Sequence, residues 1–213
     1  MTRDEAVAQI QEGLGFTSEH SDRIIRRLVQ AQNELETGKT LPRFLLEEDF
    51  PIELVEGTRE TAYPDGFLRE SDEGYMYASD LEHLVRVPDM NTGLSLLFEV
   101  IDSETLNTVQ RPRFYMMRSQ SIWFFTPADQ TYTLSWTFYK AGDSLLTSQT
   151  NVWLDDEAGA RWLMGEAGYW MARTLRDAEA VALFDDMRKQ ARAAVLSEIL
   201  AEEDFPLTLG SAH

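Results

Sequence analysis

The sequence predicts an α+β fold: a helical bundle body formed by N- and C-terminal helices, with a β-rich insertion between them. Three observations carry that expectation. Both ends of the chain hold segments with apolar residues at helical spacing, the middle holds aromatic and alternating runs, and Gly, Pro and Asp punctuate the boundaries. The resulting division is 1–48 for the N-terminal part of the body, 49–150 for the insertion, 151–204 for the C-terminal part and 205–213 for an extended tail.

Taken in order, the first helix is expected over Arg3–Glu12. Thr2 caps it, Glu5 stands at capping-box spacing, Ala6, Ile10 and Leu14 form its stripe, and Gly13-Leu14-Gly15 ends it. A second helix is expected over Ser21–Glu36, with Ser21 as N-cap, Asp22 in its first turn, Gly38 beyond its end, and Ile25, Leu28, Val29, Gln32 and Leu35 inward. Pro42 forces an exit. Glu53-Leu54-Val55-Glu56-Gly57 carries a hairpin-like signal and Tyr63-Pro64-Asp65-Gly66 a turn. Leu81–Val87 reads as a short helix, and Met90–Leu106 as the place of a strand. Strands follow at 113–117 and 121–125. In 131–139, Tyr132, Leu134, Trp136 and Phe138 alternate with Thr131, Thr133, Ser135 and Thr137, the period of a half-buried antiparallel strand. Asp155-Asp156-Glu157 opens a helix that continues through 158–173. Its Gly159, Gly165 and Gly168 each cost about 1 kcal/mol of helix propensity, which points to a second helix packed close against them. Asp177 starts the last helix, to Glu203, on an apolar stripe of Val181, Phe184, Met187, Ala191, Ala194, Val195 and Ile199.

Composition narrows the function classes. The chain has 213 residues, no cysteine and a net charge of −18. Without thiols there is neither a disulfide nor a thiolate site, which suits a reducing cytosol. The charge has the wrong sign for a duplex-binding domain, which needs cations to release counterions. Met1-Thr2-Arg3-Asp4-Glu5 leads into no apolar run, so no signal peptide is expected. No apolar stretch reaches the roughly 18–20 residues of a membrane span, and no membrane role is expected.

Catalytic chemistry is scarce. His20, His83 and His213 are far apart in sequence and none has a two-histidine metal spacing, so neither a metal nor another cofactor is expected. Gly13-Leu14-Gly15 lacks the preceding strand of a phosphate loop, and Ser119 and Ser121 lack a nucleophile elbow. The acidic runs Glu47-Glu48-Asp49, Asp155-Asp156-Glu157 and Glu202-Glu203-Asp204 admit three readings: solvated charge, interface charge, or a general acid/base pair. The last run sits at the end of a helix that the macrodipole disfavours for anions, which fits a surface answering a basic partner. Five tryptophans fit core packing, with Trp162 and Trp170 left for an interface. In the tail, Phe205, Leu207 and Leu209 alternate with Pro206, Thr208 and Gly210. That fits an extended segment docked on a partner or a solvated end.

Several stretches, taken in order, resemble one family. They are Ala31-Gln32-Asn33-Glu34-Leu35-Glu36 with Leu41-Pro42-Arg43-Phe44-Leu45; Ala62-Tyr63-Pro64-Asp65-Gly66-Phe67-Leu68-Arg69-Glu70; and Arg111-Pro112-Arg113-Phe114-Tyr115. Then come Phe124-Phe125-Thr126-Pro127-Ala128-Asp129, the strand Tyr132–Tyr139, Asn151-Val152-Trp153-Leu154, and Gly165-Glu166-Ala167 through Leu175-Arg176-Asp177. Over roughly residues 5–200 the chain resembles the head-to-tail adaptor (connector) proteins of tailed bacteriophages.

That resemblance implies a structural virion protein and no enzyme. It implies a closed ring of roughly twelve identical copies below the portal, which extends the DNA channel and docks the next neck or tail protein. DNA would pass nearby without specific binding. The location implied is the virion neck, with assembly in the host cytoplasm. Phe205, Pro206, Leu207 and Leu209 would form a portal-binding tail. Arg23, Arg26, Arg27, Trp162 and Trp170 would lie at the subunit interface. Asp155, Asp156, Glu157, Glu202, Glu203 and Asp204 would face the channel or a partner. The alternatives are another tail-completion protein, or a carboxylate-dependent hydrolase.

Overall fold

A computed structural model describes residues 1–213 except 17, 19, 72–75, 79–82, 101–107 and 204–213; of residues 95, 97–100 and 198–203 it describes the backbone. In chain order the elements are α1 (Arg3–Gly13), α2 (Ser21–Glu36), a 3₁₀ turn (Arg43–Leu45), β1 (Leu46–Leu54), β2 (Glu60–Ala62), β3 (Phe67–Glu70), β4 (Met76–Tyr77) and β5 (His83–Arg86). They continue with α3 (Met90–Val100), β6 (Phe114–Met117), β7 (Ser121–Phe124), β8 (Tyr132–Lys140), α4 (Val152–Asp155), α5 (Glu157–Leu175) and α6 (Ala178–Glu203). The chain forms two compact units. One is Leu46–Lys140; the other combines the segments before and after it.

The expected fold class needs correction. The chain is mixed α/β with a nearly closed, barrel-like sheet, and not a helical bundle carrying a β-rich insertion. The sheet path runs β1-β8-β4-β5-β6-β7-β2, and β3 also pairs with β8. The Thr61 hydroxyl donates to the Glu53 carbonyl at 3.0 Å, which draws the two ends of the path together. Every ladder is antiparallel except β5–β6, where Val85 and Arg86 pair in parallel with Phe114 and Tyr115. A parallel pair needs a crossover, and α3 lies within it. Two local expectations fall with this. Leu81–Val87 contains the strand β5, and Met90–Leu106 contains the helix α3, with 101–107 outside the described residues. The hairpin-like signal at 53–57 joins strands that do not pair with each other: β1 pairs with β8 and β2 with β7.

The alternation in β8 is realised as read. Tyr132, Leu134, Trp136 and Phe138 are buried, and Ile52 and Leu54 of β1 stand opposite Leu134 and Tyr132. With Met76, Leu84, Tyr115, Ile122 and Phe124 they form the core of the sheet unit. The helix α3 covers a smaller cluster of Val87, Phe114 and Phe125. Its start is set by Asp89, whose carboxylate accepts from the Thr92 N–H at 2.9 Å.

In the helical unit, α1 carries the expected capping box between Thr2 and Glu5. Gly165 and Gly168 of α5 also do what their cost implied, whereas Gly159 stands against Phe44 and the Trp153 carbonyl instead of a second helix. A Cβ on Gly165 would meet Arg188 backbone atoms at 2.8–2.9 Å, and one on Gly168 would meet the Phe184 ring at 2.3 Å. Because α5 and α6 run antiparallel through these contacts, close approach of their backbones depends on both positions. Asp177 starts α6 by accepting from the Glu179 and Ala180 N–H groups.

Candidate functional site

The helix α2 holds the basic candidates. It buries Ile24, Leu28, Ala31, Gln32 and Glu36, whereas the expected inward residues Ile25, Val29 and Leu35 are half-buried. Ser21 is not its N-cap either. His20 takes that place in the left-handed region (φ 68°) without a side-chain cap bond, and the Ser21 hydroxyl accepts from Gln11 Nε2 at 3.0 Å. Arg23 and Arg26 are exposed. Arg27 is half-buried and donates to Gln30 Oε1 at 2.7 Å, and Gln30 in turn donates to Glu34. Arg23 lies in the first turn of the helix, where the macrodipole disfavours positive charge, and Arg26 and Arg27 lie in the second. Neither caps nor the helix field explain their placement.

The rotation of α2 has a polar cause. Glu36, 8% exposed, accepts on its Oε1 from Gln32 Nε2 at 3.0 Å, the Gly142 N–H at 2.9 Å and the Trp153 indole N–H at 2.9 Å. Asn151 completes the cluster. Its Oδ1 accepts from the Trp153 N–H at 2.8 Å and its amide donates to the Asp143 carbonyl. A buried carboxylate needs such donors to offset lost hydration. The cluster thereby fixes both the segment leaving β8 and the Asn151-Val152-Trp153-Leu154 motif. Sequence reasoning missed Glu36. Its one signal was an acid in the last turn of a helix, on the dipole's unfavourable side.

The acidic candidates separate. The Asp156 carboxylate is the α5 N-cap and accepts from the Gly159 N–H at 2.6 Å. Asp155 and Glu157 are exposed on either side of it. Glu202 and Glu203 end α6, and their side chains are not described; Asp204, Phe205, Pro206, Leu207 and Leu209 lie outside the described residues. The two tryptophans also part company. Trp162 is 9% exposed and packs edge-on to Trp153, so it belongs to the core of its unit, whereas Trp170 is 38% exposed beneath the Arg173 guanidinium.

The sheet unit contains a second buried acid that the sequence did not flag. Glu70 Oε1 accepts from the Tyr115 hydroxyl and, at 3.1 Å, from the Trp136 indole; its Oε2 pairs with Arg86 at 2.8 Å. One carboxylate thus ties β3 to β5, β6 and β8. Burial, with the Glu70 charge beside it, pushes the Tyr115 phenol well above its usual range.

The chain matches no protein-family model and no curated protein. Among the described residues no group of three or more His, Asp or Glu is placed to hold a metal ion, and no helix is long and apolar enough to cross a membrane. Both buried carboxylates accept from structural donors and pin backbone segments together. In the helical unit Arg23, Arg26, Asp155 and Glu157 are exposed charged side chains.

Proposed function

We propose that this chain is a head-to-tail adaptor of a tailed bacteriophage: copies close into a ring beneath the portal, extend the DNA channel and present a surface to the next neck or tail protein. The observation that carries the reading is the ordered series of family-like segments from Ala31 to Asp177. The exposed cations of α2 support it. On a chain of net charge −18, exposed arginines, with Arg23 placed against its own helix field, would find acidic partners on a neighbouring copy. An acidic wall would also let DNA slide without adhering. The reading assigns the chain no reaction, a place in the virion neck, and a cytoplasmic phase during assembly.

The test is assembly. Purified chain mixed with its portal protein should sediment as a complex, and electron-microscopic class averages should show rings. Replacing Arg23, Arg26 and Arg27 by Glu should weaken assembly at physiological salt. A chain that stays single with portal present, at concentrations where rings form in related systems, would overturn the reading.

A further inference from the structure

We infer that Trp170 and Arg173 of one copy receive the acidic start of the tail, Glu202-Glu203-Asp204-Phe205, from a second copy of this chain. The receiving face lies along the seam of α5 and α6. Tyr169 is half-buried and Trp170 is 38% exposed, and the Arg173 guanidinium lies over both rings, 5.7 and 5.4 Å from their centroids. Arg188 covers Tyr169 from α6 at 3.9 Å. Trp, Tyr and Arg are the residue types that carry most of the binding energy at protein interfaces.

The charge of this face is opposite to that of the chain. Counting from Phe184, which meets α5 at Gly168, Arg188 lies about 40° round the helix, and Asp185, Lys189 and Arg192 lie about 80–140° round on the same side. Asp186 and Glu179 fall about 200–220° round, on the far side. The acids of the face are thus Glu166 and Asp185, and both are taken. Arg188 pairs with Glu166 at 3.1 Å and with Asp185 at 2.7 Å, and Lys189 also pairs with Asp185. Arg173 and Arg192 are exposed, and neither pairs with a carboxylate among the described residues. On a chain of net charge −18, a seam with unneutralised guanidiniums favours an anionic partner. The exposed indole favours an apolar group beside the anions.

One segment of the chain joins the two, because Phe205 directly follows Glu202-Glu203-Asp204. A DNA duplex offers phosphates but no ring for Trp170. Reach then decides between the same copy and another. Gly168 on Phe184 and Gly165 on Arg188 set α5 and α6 antiparallel, which puts Trp170 near the second turn of α6. Glu203, at the other end of α6, is about 30 Å away at 1.5 Å per residue. Phe205 is two residues further on, and an extended chain spans at most about 3.6 Å per residue. A copy therefore cannot lay this motif on its own Trp170. Docking onto a second copy is head-to-tail, the type of contact from which a ring closes. The inference deepens the ring reading by naming one of its contacts, while its test needs neither ring nor portal.

A synthetic peptide of residues 200–213 is titrated into the full-length chain at physiological salt. The Trp170 indole N–H resonance, assigned from Trp170→Phe, is followed by NMR and should move saturably. Affinity should fall about tenfold for the exposed-site variant Arg173→Glu, and about tenfold for the peptide substituted Glu202→Gln/Glu203→Gln/Asp204→Asn. It should return when the Arg173→Glu chain meets a peptide substituted Glu202→Lys/Glu203→Lys/Asp204→Lys. A still Trp170 resonance, unchanged affinity in either variant, or displacement of the peptide by a short DNA duplex would overturn the inference. Peptide binding as stated without rings on portal would sink the ring reading alone. Rings that form equally well from Arg173→Glu would sink this contact and leave the ring.

Discussion

Replacing Gly165 by alanine sets two well-defined terms against each other. Alanine in a helix interior gains about 1 kcal/mol over glycine in propensity. The added Cβ, however, would stand 2.8 Å from both the Arg188 backbone nitrogen and its Cβ, and 2.9 Å from its Cα. Backbone atoms cannot rotate aside as the tip of a flexible side chain can, so α6 as a whole must retreat. Overpacking of this kind costs typically 1–3 kcal/mol, and here it acts where α6 carries the buried side chains Phe184, Ala191 and Val195. Because the obstacle is backbone, the steric cost lies at the upper end of that range, about 2–3 kcal/mol, and the expected net loss is about 1–2 kcal/mol, or roughly 2–8 °C in Tm. Hydrogen exchange of the α5 and α6 amides, followed across a urea series, localises the loss to this helix pair. Gly168→Ala should behave alike, because Phe184 is confined on its other side by Gly13, where a Cβ would meet its ring at 2.7 Å. Adding Phe184→Leu to Gly168→Ala should recover part of that loss. Equal or higher stability of Gly165→Ala would refute the reasoning, since propensity would then have outweighed contact.

Three other expectations follow from the buried and paired carboxylates. Glu36→Leu removes the acceptor shared by three donors and should destabilise by about 3–5 kcal/mol, against about 1–2 kcal/mol for Glu36→Gln; the Trp153 indole N–H resonance should move in both. The Tyr115 phenol, raised in the folded chain, stays protonated where the unfolded chain ionises. Its contribution is therefore complete below about pH 10 and is lost as pH rises further. Urea midpoints between pH 8 and 11 should fall less steeply in Tyr115→Phe. Hydrogen bonds from Lys189 and Arg188 hold the Asp185 carboxyl below its ordinary value, so its contribution is present above about pH 4 and disappears as pH drops through the depressed value. An NMR titration of Asp185 should show that value rising in Lys189→Ala and Arg188→Ala.

Features governed by neighbours in sequence were legible, and those governed by distant partners were not. Thr2 and Glu5 announce α1 because a capping box is closed within one turn. The β8 alternation announces its buried face, and the α5 glycines announce a close helix. By contrast, β5 lies between β4 and β6, and β6, some thirty residues on, pairs with it in parallel; nothing in His83-Leu84-Val85-Arg86 alone says so. Met90–Val100 is apolar over so much of its length that its period is obscured, and the usable signal was the cap at Asp89. The face of α2 was misjudged for another reason. Hydrophobic spacing cannot foresee that Glu36 turns inward to meet Trp153. Of the candidate site, the arginines and the acidic helix start were visible as residue types, while the buried cluster of Glu36 with Gln32, Gly142 and Trp153 was not.

The irregular course of β1 bears on how copies of the chain can meet. It stands at one end of the sheet path, its register slips between Glu47 and Phe50, Asp49 adopts φ 53° with Ser135 bonded to its carboxylate, and Pro51 follows. A strand broken in this way, missing one N–H and carrying acids along its rim, is a poor template for adding the same strand from a second molecule. Runaway cross-β stacking at high local concentration is thereby discouraged.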